Sequence, residues 1–527
     1  LQAAAAVAVD WVAHHQLPDR GPAWDPGITG LRAHRLAALI DHLAADPLSS
    51  DAALKSLTSA AQVHATALSD EPQSDVPGVT AIYDPVGLRQ LAIRVPELPG
   101  APDLLALADT RTNRLLTTSF ADDGVHLEHT PSYHAEVVET LTRLLDAGAI
   151  DDTKPTKVRN RAEKALAWFV VPDGSIAGFG DTEPIQVSDW LAGATKPSLG
   201  GIKRRWRTGP MRAAASASKG GRHPEERVKA FENGGYVILR SAWPDRPSQP
   251  DAAYLAMMAG RHSTRRKHAD DLAIVWYDAG RPILVDAGAY ATTPADDPYR
   301  VYVTAARAHN GIEIDGAHHF PGQPEGSGAT HAGELDHWRY GAAKATFGDV
   351  IYRRLAVLDP GRWLLLVDLL RDRSGASHTY RQWFHPAADL DAQLNGVAFQ
   401  VAGTGVSLTV RSLTEATPIA PTRGQLDPEP QGWHSPAPGV IEPSWALGFE
   451  AAPGARAMFA TVLSLAGPVA PGEVTPGHGA NSASVAFEVG GEAIDLAIDL
   501  RDEIPIQRRD GNEPSITEQH PPPSAQA

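Results

Sequence analysis

Three stretches of this 527-residue chain crowd together side chains able to move protons. Residues 261–290 read RHSTRRKHADDLAIVWYDAGRPILVDAGAY. A polar turn with Lys267, His268, Asp270 and Asp271 opens onto two apolar strands, the second ending at Asp286. A hairpin built only for packing has no need of such a turn. Residues 308–316, AHNGIEIDG, place His309 at the start of a further alternating strand. Upstream, DGVHLEHTPSYHAEVVETLTRLL (123–145) gathers His126, Glu128, His129, Tyr133 and His134 around the start of a helix. Imidazole, carboxylate and phenol groups are the usual carriers of general acid–base chemistry.

Composition narrows the classes of partner. Hydrophobic residues make up 43% and charged residues 21%, the balance of a folded soluble chain. A net charge of −16 and a pI near 5.7 argue against nucleic acid or an anionic membrane as partner. The same charge requires a local basic patch for any polyanionic substrate. With no cysteine, disulfides and thiolate metal sites are excluded. No apolar run approaches the roughly 18 residues of a membrane span. The chain begins at Leu1 rather than methionine, so a preceding segment, a signal peptide among the candidates, is expected.

The elements that must carry these residues change type along the chain. Apolar residues recur at helical spacing over 31–45, 51–68, 103–116, 134–148 and 158–171. Val137, Val138, Leu141, Leu144 and Leu145 form one face, and Gly148 is placed to end that helix. Residues 198–224 are small, basic and glycine-rich, which predicts a linker or exposed loop. Beyond them, 234–243, 252–260, 271–288, 362–373, 396–403, 405–413, 455–467 and 483–491 read as strands, with a hairpin turn at Asp278-Ala279-Gly280-Arg281. Long strands without intervening helices predict an antiparallel sandwich. The expected organisation is a helical domain over 1–212, a β-sandwich domain over 225–504 and a disordered tail over 505–527.

Together, DG-x-H-x-E-H-x-P-x-YH in the helical region and KHADDL, LVDAGAY and AHNGIEIDG in the sandwich region resemble the heparinase II/III-type polysaccharide lyases. The likeness runs from about residue 20 to about residue 390. It implies an N-terminal (α/α) toroid, an incomplete barrel, followed by a two-sheet antiparallel sandwich. It also implies cleavage of an acidic, uronate-containing polysaccharide by β-elimination in a cleft between them. Elimination removes the C5 proton, α to a carboxylate, and expels the oxygen at C4. Such a site must neutralise that carboxylate, hold a base near C5 and an acid near O4. Tyr133 matches the family's catalytic tyrosine, and a neighbouring cation is expected to lower its pKa. His129 and His134 join it as catalytic candidates. His268, Asp286 and His309 match positions that hold zinc in family members, and two imidazoles with a carboxylate suit that ion. Their separations of 18 and 23 residues carry no signal alone, and the zinc is expected to be structural.

Two departures from the family stand out. Where many relatives have Asn-His-Gly-Leu, this chain reads Pro85-Val86-Gly87-Leu88, and neither Pro85 nor Val86 offers a side-chain donor. Where a His-Lys-His is usual, it reads Arg266-Lys267-His268. Arginine cannot act as a base at neutral pH but suits a carboxylate clamp. The expectation is that Arg266, helped by Arg265 or His262, neutralises the substrate carboxylate while Tyr133 moves the proton. Glu128, His126, Tyr299 and Tyr302 are further substrate-binding candidates. Tyr290 is read as closing its hairpin, and His318-His319 as a surface turn. Two alternatives stay open: a glycoside hydrolase using carboxylates among Asp122, Asp123 and Glu128, and a non-catalytic glycan-binding protein. No GxSxG, Walker A or HExxH motif occurs. A polymer substrate favours a secreted or periplasmic location, and a homodimer is left open.

Overall fold

The computed structural model describes the chain except residues 16–17, 19–20, 71–80, 152, 188–205, 217–219, 244–251, 263–265, 291–293, 318–326, 478–480, 502–504 and 510–527. The helical part, an incomplete (α/α) toroid, comprises α1 (Gln2–His14), α2 (Pro26–Ala45), α3 (Asp51–Ser69), α4 (Tyr83–Arg94), α5 (Ala101–Thr118), α6 (Pro131–Asp146), α7 (Thr153–Leu166) and α8 (Gly209–Ser216). Prolines in the first turns of α2, α5 and α6 start helices where their missing N–H is harmless. Helices α2 and α4 cross at backbone contact: a Cβ on Gly30 would lie 2.3 Å from the Tyr83 carbonyl, and one on Gly87 2.6 Å from the Gly30 oxygen. Pro85 and Val86 are buried in the first turn of α4, with Val86 inside the helical core. The stretch expected to be a linker holds α8, which packs Met211 into that same core, with Trp206 beside it. Its alanines and methionine make an apolar helical face that the basic residues around them mask in the sequence.

The sheet part begins with β1 (Val228–Phe231), β2 (Tyr236–Arg240), β3 (Tyr254–Met258), β4 (Ile274–Asp278) and β5 (Arg281–Leu284), then a short helix α9 (Pro298–Val303). Next come β6 (Ile312–Ile314), β7 (Gly328–Leu335), β8 (Trp338–Phe347), β9 (Val350–Asp359), β10 (Trp363–Asp372) and β11 (Tyr380–Phe384). They are followed by β12 (Asp391–Asn395), β13 (Ala398–Gly403), β14 (Val406–Ser412), β15 (Thr417–Arg423), β16 (Trp433–Ala437) and β17 (Val440–Pro443). The last are β18 (Trp445–Glu450), β19 (Arg456–Ser464), β20 (Glu473–Pro476), β21 (Ser482–Val489), β22 (Glu492–Asp499) and β23 (Ile506–Arg508).

All strand pairings among the described residues are antiparallel. A five-stranded sheet, β1 to β5 in order, and a four-stranded sheet, β15-β18-β11-β6, share a core with the eight-stranded sheet β12-β13-β14-β19-β10-β9-β8-β7. The architecture exceeds two sheets. A fourth, β20-β21-β22-β23, covers the far face of the eight-stranded sheet with Val485, Leu496 and Ile506 against Trp338, Trp363 and Val462. The segment expected to be a disordered tail therefore starts with a paired strand, because Ile506 is buried against that face; residues 510–527 lie outside the described residues.

The domains meet on the outer face of the five-stranded sheet. Trp168, Phe169 and Phe179 pack against Phe231, Tyr236, Ile238, Tyr254, Met258 and Val275. Arg240, fully buried, stacks on Trp243 (4.1 Å) and Tyr254 (4.6 Å) and donates to the carbonyls of Trp168 (2.9 Å) and Val170. On the inner face, the buried Arg354–Asp368 pair is bidentate (2.7 and 2.8 Å), and Arg354 Nη1 also donates to the carbonyls of Leu272 (2.9 Å) and Asn310 (2.6 Å). Asn310 in turn donates to the Ile274 and Val285 carbonyls and accepts the His385 amide. One buried cation thus fixes the two loops that carry His268 and His309. Arg354→Ala would strand the Asp368 carboxylate without its charge partner and is expected to cost about 3–5 kcal/mol. The denaturant midpoint of the sheet domain measures it, and a loss below about 1 kcal/mol would contradict this role.

Candidate active site

The turn before α6 is built to bridge domains. Phe120 and His126 pair across a short antiparallel bridge, and Gly124 turns the chain with φ 96°. The Asp123 carboxylate accepts the amides of Asn233 (3.0 Å) and Gly234 (2.8 Å) from the β1–β2 turn. Helical periodicity then separates two neighbours. His134 lies on the face of Val138 and Leu141 and points inward, while Tyr133 stays half-buried on the side facing the sheet domain.

Arg266, in the turn between β3 and β4, lies over Tyr133, with its guanidinium carbon 3.8 Å from the ring centroid. Its Nε lies 3.6 Å from Glu128 Oε2 and its Nη1 3.7 Å from Asp181 Oδ2, ion-pair distances too long for hydrogen bonds. Asp181 belongs to the loop 178–184, GFGDTEP, which sequence reasoning passed over. Gly180 precedes it with φ 53°, where a Cβ would sit 2.9 Å from the Arg266 oxygen and 3.1 Å from the His129 oxygen. Only glycine fits between these two carbonyls, one from each domain.

Asp181 Oδ1 accepts from His268 Nε2 at 3.1 Å. His268, Asp286 and His309 are all buried, and each offers a donor atom within 4.8 Å of the others. His309 Nδ1 lies 2.7 Å from Asp286 Oδ2, whose Oδ1 accepts the Gly288 amide at 3.0 Å. His268 Nδ1 and His309 Nε2 are buried without a hydrogen-bond partner among the described residues. Two orphaned imidazole nitrogens beside a carboxylate fit a divalent cation, since buried polar atoms otherwise find partners. Lys267 acts differently. Buried, it pairs with Asp270 and Asp271 and donates to the His268 carbonyl, which holds the turn closed.

The electrostatics alter one expectation. Burial pushes the Tyr133 phenol up, and the nearby Asp181, Glu183 and Glu136 add to this; Arg266 pulls the other way and loses. The stacked cation therefore does not lower this tyrosine below its ordinary value. Burial also pushes the Asp181 carboxyl up, but the His268 hydrogen bond and the charges of His268, Arg266 and Arg300 outweigh it and hold the group below its usual range. His129 and His262 stack across the junction, centroids 5.5 Å apart and 12° from parallel. His129 Nε2 accepts the His262 amide at 2.8 Å, so that lone pair is committed and cannot take up a substrate proton. His262 Nε2 faces the Gly234 carbonyl at 3.3 Å, which makes it the donor and leaves Nδ1 as the acceptor.

Other expected site residues lie elsewhere. His134 is enclosed by Phe120, His126 and Phe169, with Nε2 donating to the Ala162 carbonyl at 2.9 Å. It is part of the helical core, as is His126, which lies edge-on to Phe120. Tyr302 is fully buried and its hydroxyl accepts the Gly432 amide at 3.2 Å, so it reaches no substrate. Tyr299 stays partly exposed between Tyr290 (5.7 Å) and Trp433 (5.0 Å). Arg265, His318 and His319 lie outside the described residues. Of the carboxylates considered for hydrolysis, Asp123 is committed to backbone amides, and Glu128 faces Arg266 at ion-pair distance.

A family model described as Heparinase II/III N-terminus matches residues 2–196, and one described as Heparinase II/III-like, C-terminal, matches residues 223–476. Among solved structures, a heparinase III superposes with TM-score 0.76 at 17% identity, over 95% of this chain and 79% of that one. Heparan sulfate lyase HepC from Pedobacter heparinus gives 0.67 at 15%, over 94% and 79%. A variant of chondroitin AC lyase from Streptomyces coelicolor A3 gives 0.50 at 12%, over 95% and 78%. At such identities the likeness is one of fold. No curated protein sequence matches.

The buried imidazoles set an acid limit on the helical domain. Burial pushes His126 down to about 3 and His134 to about 4, against about 6.5 in an unfolded chain. Between those values the unfolded state binds more protons, so stability is complete above about pH 6.5 and falls as pH drops toward 4. Each group contributes up to about 1.4 kcal/mol per pH unit. His134→Asn should flatten this loss when denaturant midpoints at pH 7 and pH 5 are compared, and an unchanged slope would show that His134 is not held neutral.

Proposed function

Because the chain belongs to the heparinase II/III family, we propose that it is a polysaccharide lyase that cleaves an acidic, uronate-containing polymer by β-elimination where the toroid meets the sheet domain. The observation that carries this reading is the Arg266 guanidinium stacked on the Tyr133 ring at the junction. The substrate class follows relatives named as heparan sulfate lyase and chondroitin AC lyase.

In this reading Arg266 hydrogen-bonds the substrate carboxylate. Neutralising that group makes the C5 proton acidic enough to leave and stabilises the enolate that forms. Its long contacts to Glu128 and Asp181 suit that duty, because neither carboxylate takes up its N–H groups in short bonds. Tyr133 moves the proton: the phenolate takes it from C5, the C4–O4 bond breaks as C4=C5 forms, and the phenol returns the proton to the leaving O4. Pro85 and Val86 take no part, since they fill the helical core. His268, Asp286 and His309 would hold zinc. Bound there, the ion would supply a fixed cross-link between the ends of the strands that carry them. A polymeric substrate favours a secreted or periplasmic enzyme, and no described helix is long and apolar enough to cross a membrane.

Ultraviolet absorbance of the new double bond, read across heparan, chondroitin, hyaluronan, alginate and glucuronan polymers, tests the reading. Tyr133→Phe should lower kcat by about 10²–10⁴-fold, and Arg266→Ala by about 10²–10³-fold. Full activity in Arg266→Ala would remove it from the mechanism. Because the phenol is pushed up and must lose its proton first, kcat/KM should climb with pH through neutrality into the alkaline range. A flat profile would transfer proton removal to His262 Nδ1 and leave Tyr133 as the acid. Silence on every polymer, with sugar release at reducing ends, would replace elimination by hydrolysis.

A further inference from the structure

We propose that Asp181 is a positioning residue that couples metal occupancy at His268, Asp286 and His309 to the Arg266–Tyr133 pair. The inference deepens the lyase reading and rests on it for the roles of those groups. The two carboxylate oxygens of Asp181 serve different partners: Oδ1 accepts from His268 Nε2 at 3.1 Å, and Oδ2 lies 3.7 Å from Arg266 Nη1. A carboxylate can only accept, so the first bond places the imidazole proton on Nε2 and leaves the lone pair on Nδ1. That Nδ1 is the buried atom without a partner among the described residues. Asp181 therefore selects the tautomer of His268 that can ligate a cation, as second-layer carboxylates do at metal sites.

The loop that carries Asp181 is braced on every side. Gly180 sits against the carbonyls of Arg266 and His129, Gly178 against the side chain of Asp286, and the Glu183 amide donates to Ser132 Oγ at 3.2 Å, one residue from Tyr133. The carboxylate is thus held between the His268 N–H and the Arg266 guanidinium with little room to follow either. Charge drawn toward a metal-loaded His268 is charge withdrawn from Arg266, and the hold on the guanidinium over Tyr133 changes with it. By linkage, removing Arg266 must change metal affinity through the same carboxylate.

The test is a double-mutant cycle on zinc affinity, measured by chelator competition with the full-length protein, so it needs neither substrate nor turnover. Asp181→Ala should weaken zinc about 10–100-fold. Arg266→Ala should tighten zinc by at least about threefold in the wild-type background, and by clearly less when Asp181 is already alanine. Asp181→Asn keeps an acceptor for His268 but loses the charge that attracts Arg266. It should bind zinc more tightly than Asp181→Ala while abolishing the Arg266→Ala effect, and it decides the matter if the alanine variant fails to fold. Additive effects, unchanged zinc affinity in Asp181→Ala, or no zinc binding by the wild type would each overturn the proposal. A silent double-bond assay would instead sink the lyase reading and leave the zinc cycle readable.

Discussion

The packing of residues 165–179 on the outer face of the five-stranded sheet is the constraint from which the rest of the site follows. Tyr133 and Glu128 come from the helical domain, Arg266 and His268 from the sheet domain, and no chain-local geometry brings them together. Their relative position is as well defined as the junction that sets it. That junction is aromatic and tightly closed, with Arg240 buried within it and hydrogen-bonded to carbonyls of the opposite domain. Stiff, well-packed aromatic contacts resist sliding. Around that patch, Asp123 ties the tyrosine-bearing turn to the β1–β2 turn, and His129 accepts the His262 amide. Each of these bonds shortens the lever between the packed junction and the reacting groups.

The change from helices to antiparallel sheets was legible in the chain because it rests on local signals, helical periodicity before residue 195 and strand alternation after 225. Tyr133 and Arg266, in contrast, were singled out by the resemblance to the heparinase II/III-type lyases. Which way a side chain points was less legible. His126, His134 and Tyr302 have the chemistry of site residues yet are buried in cores. For His134 the signal existed, since it falls four residues before Val138 and seven before Leu141, on the apolar stripe, whereas Tyr133 falls off it. Asp181 left no comparable mark. Its loop is short and aperiodic, and its importance comes from contacts with residues 129, 266 and 268, far away in sequence. Only Gly180, wedged between two carbonyls, hints that the loop is constrained.

The loss of Asn-His at Pro85-Val86 also has a structural sense. Val86 completes the core where α4 packs, and neither it nor Pro85 offers a side-chain donor, so the proposed mechanism assigns neutralisation to Arg266 across the junction. A cation at that point meets an unfavourable background. The chain carries a net charge of −16, and Glu128, Asp181, Glu136 and Glu183 all lie close to the Arg266–Tyr133 pair. A polyanion approaching this surface is repelled at long range, although at physiological salt the repulsion fades within about 8 Å.

What remains is a contest at short range, and the pairing of Arg266 decides how it runs. An unpaired guanidinium would attract any anion and adopt many conformations over the ring. Held at 3.6 and 3.7 Å by two fixed carboxylates, it is confined over Tyr133 without short bonds to either of them. A planar carboxylate that offers a bidentate contact replaces two loose attractions with two short, charge-assisted bonds. A hydroxyl or a neutral sugar cannot make that exchange. In the proposed mechanism the surrounding negative charge would work as a filter: it repels anions at a distance, more strongly the greater their charge, and only those able to fork onto Arg266 would bind with a net gain. Selectivity for a uronate would then come from the geometry of one guanidinium, and proton removal would begin only when that exchange has placed C5 beside the Tyr133 oxygen.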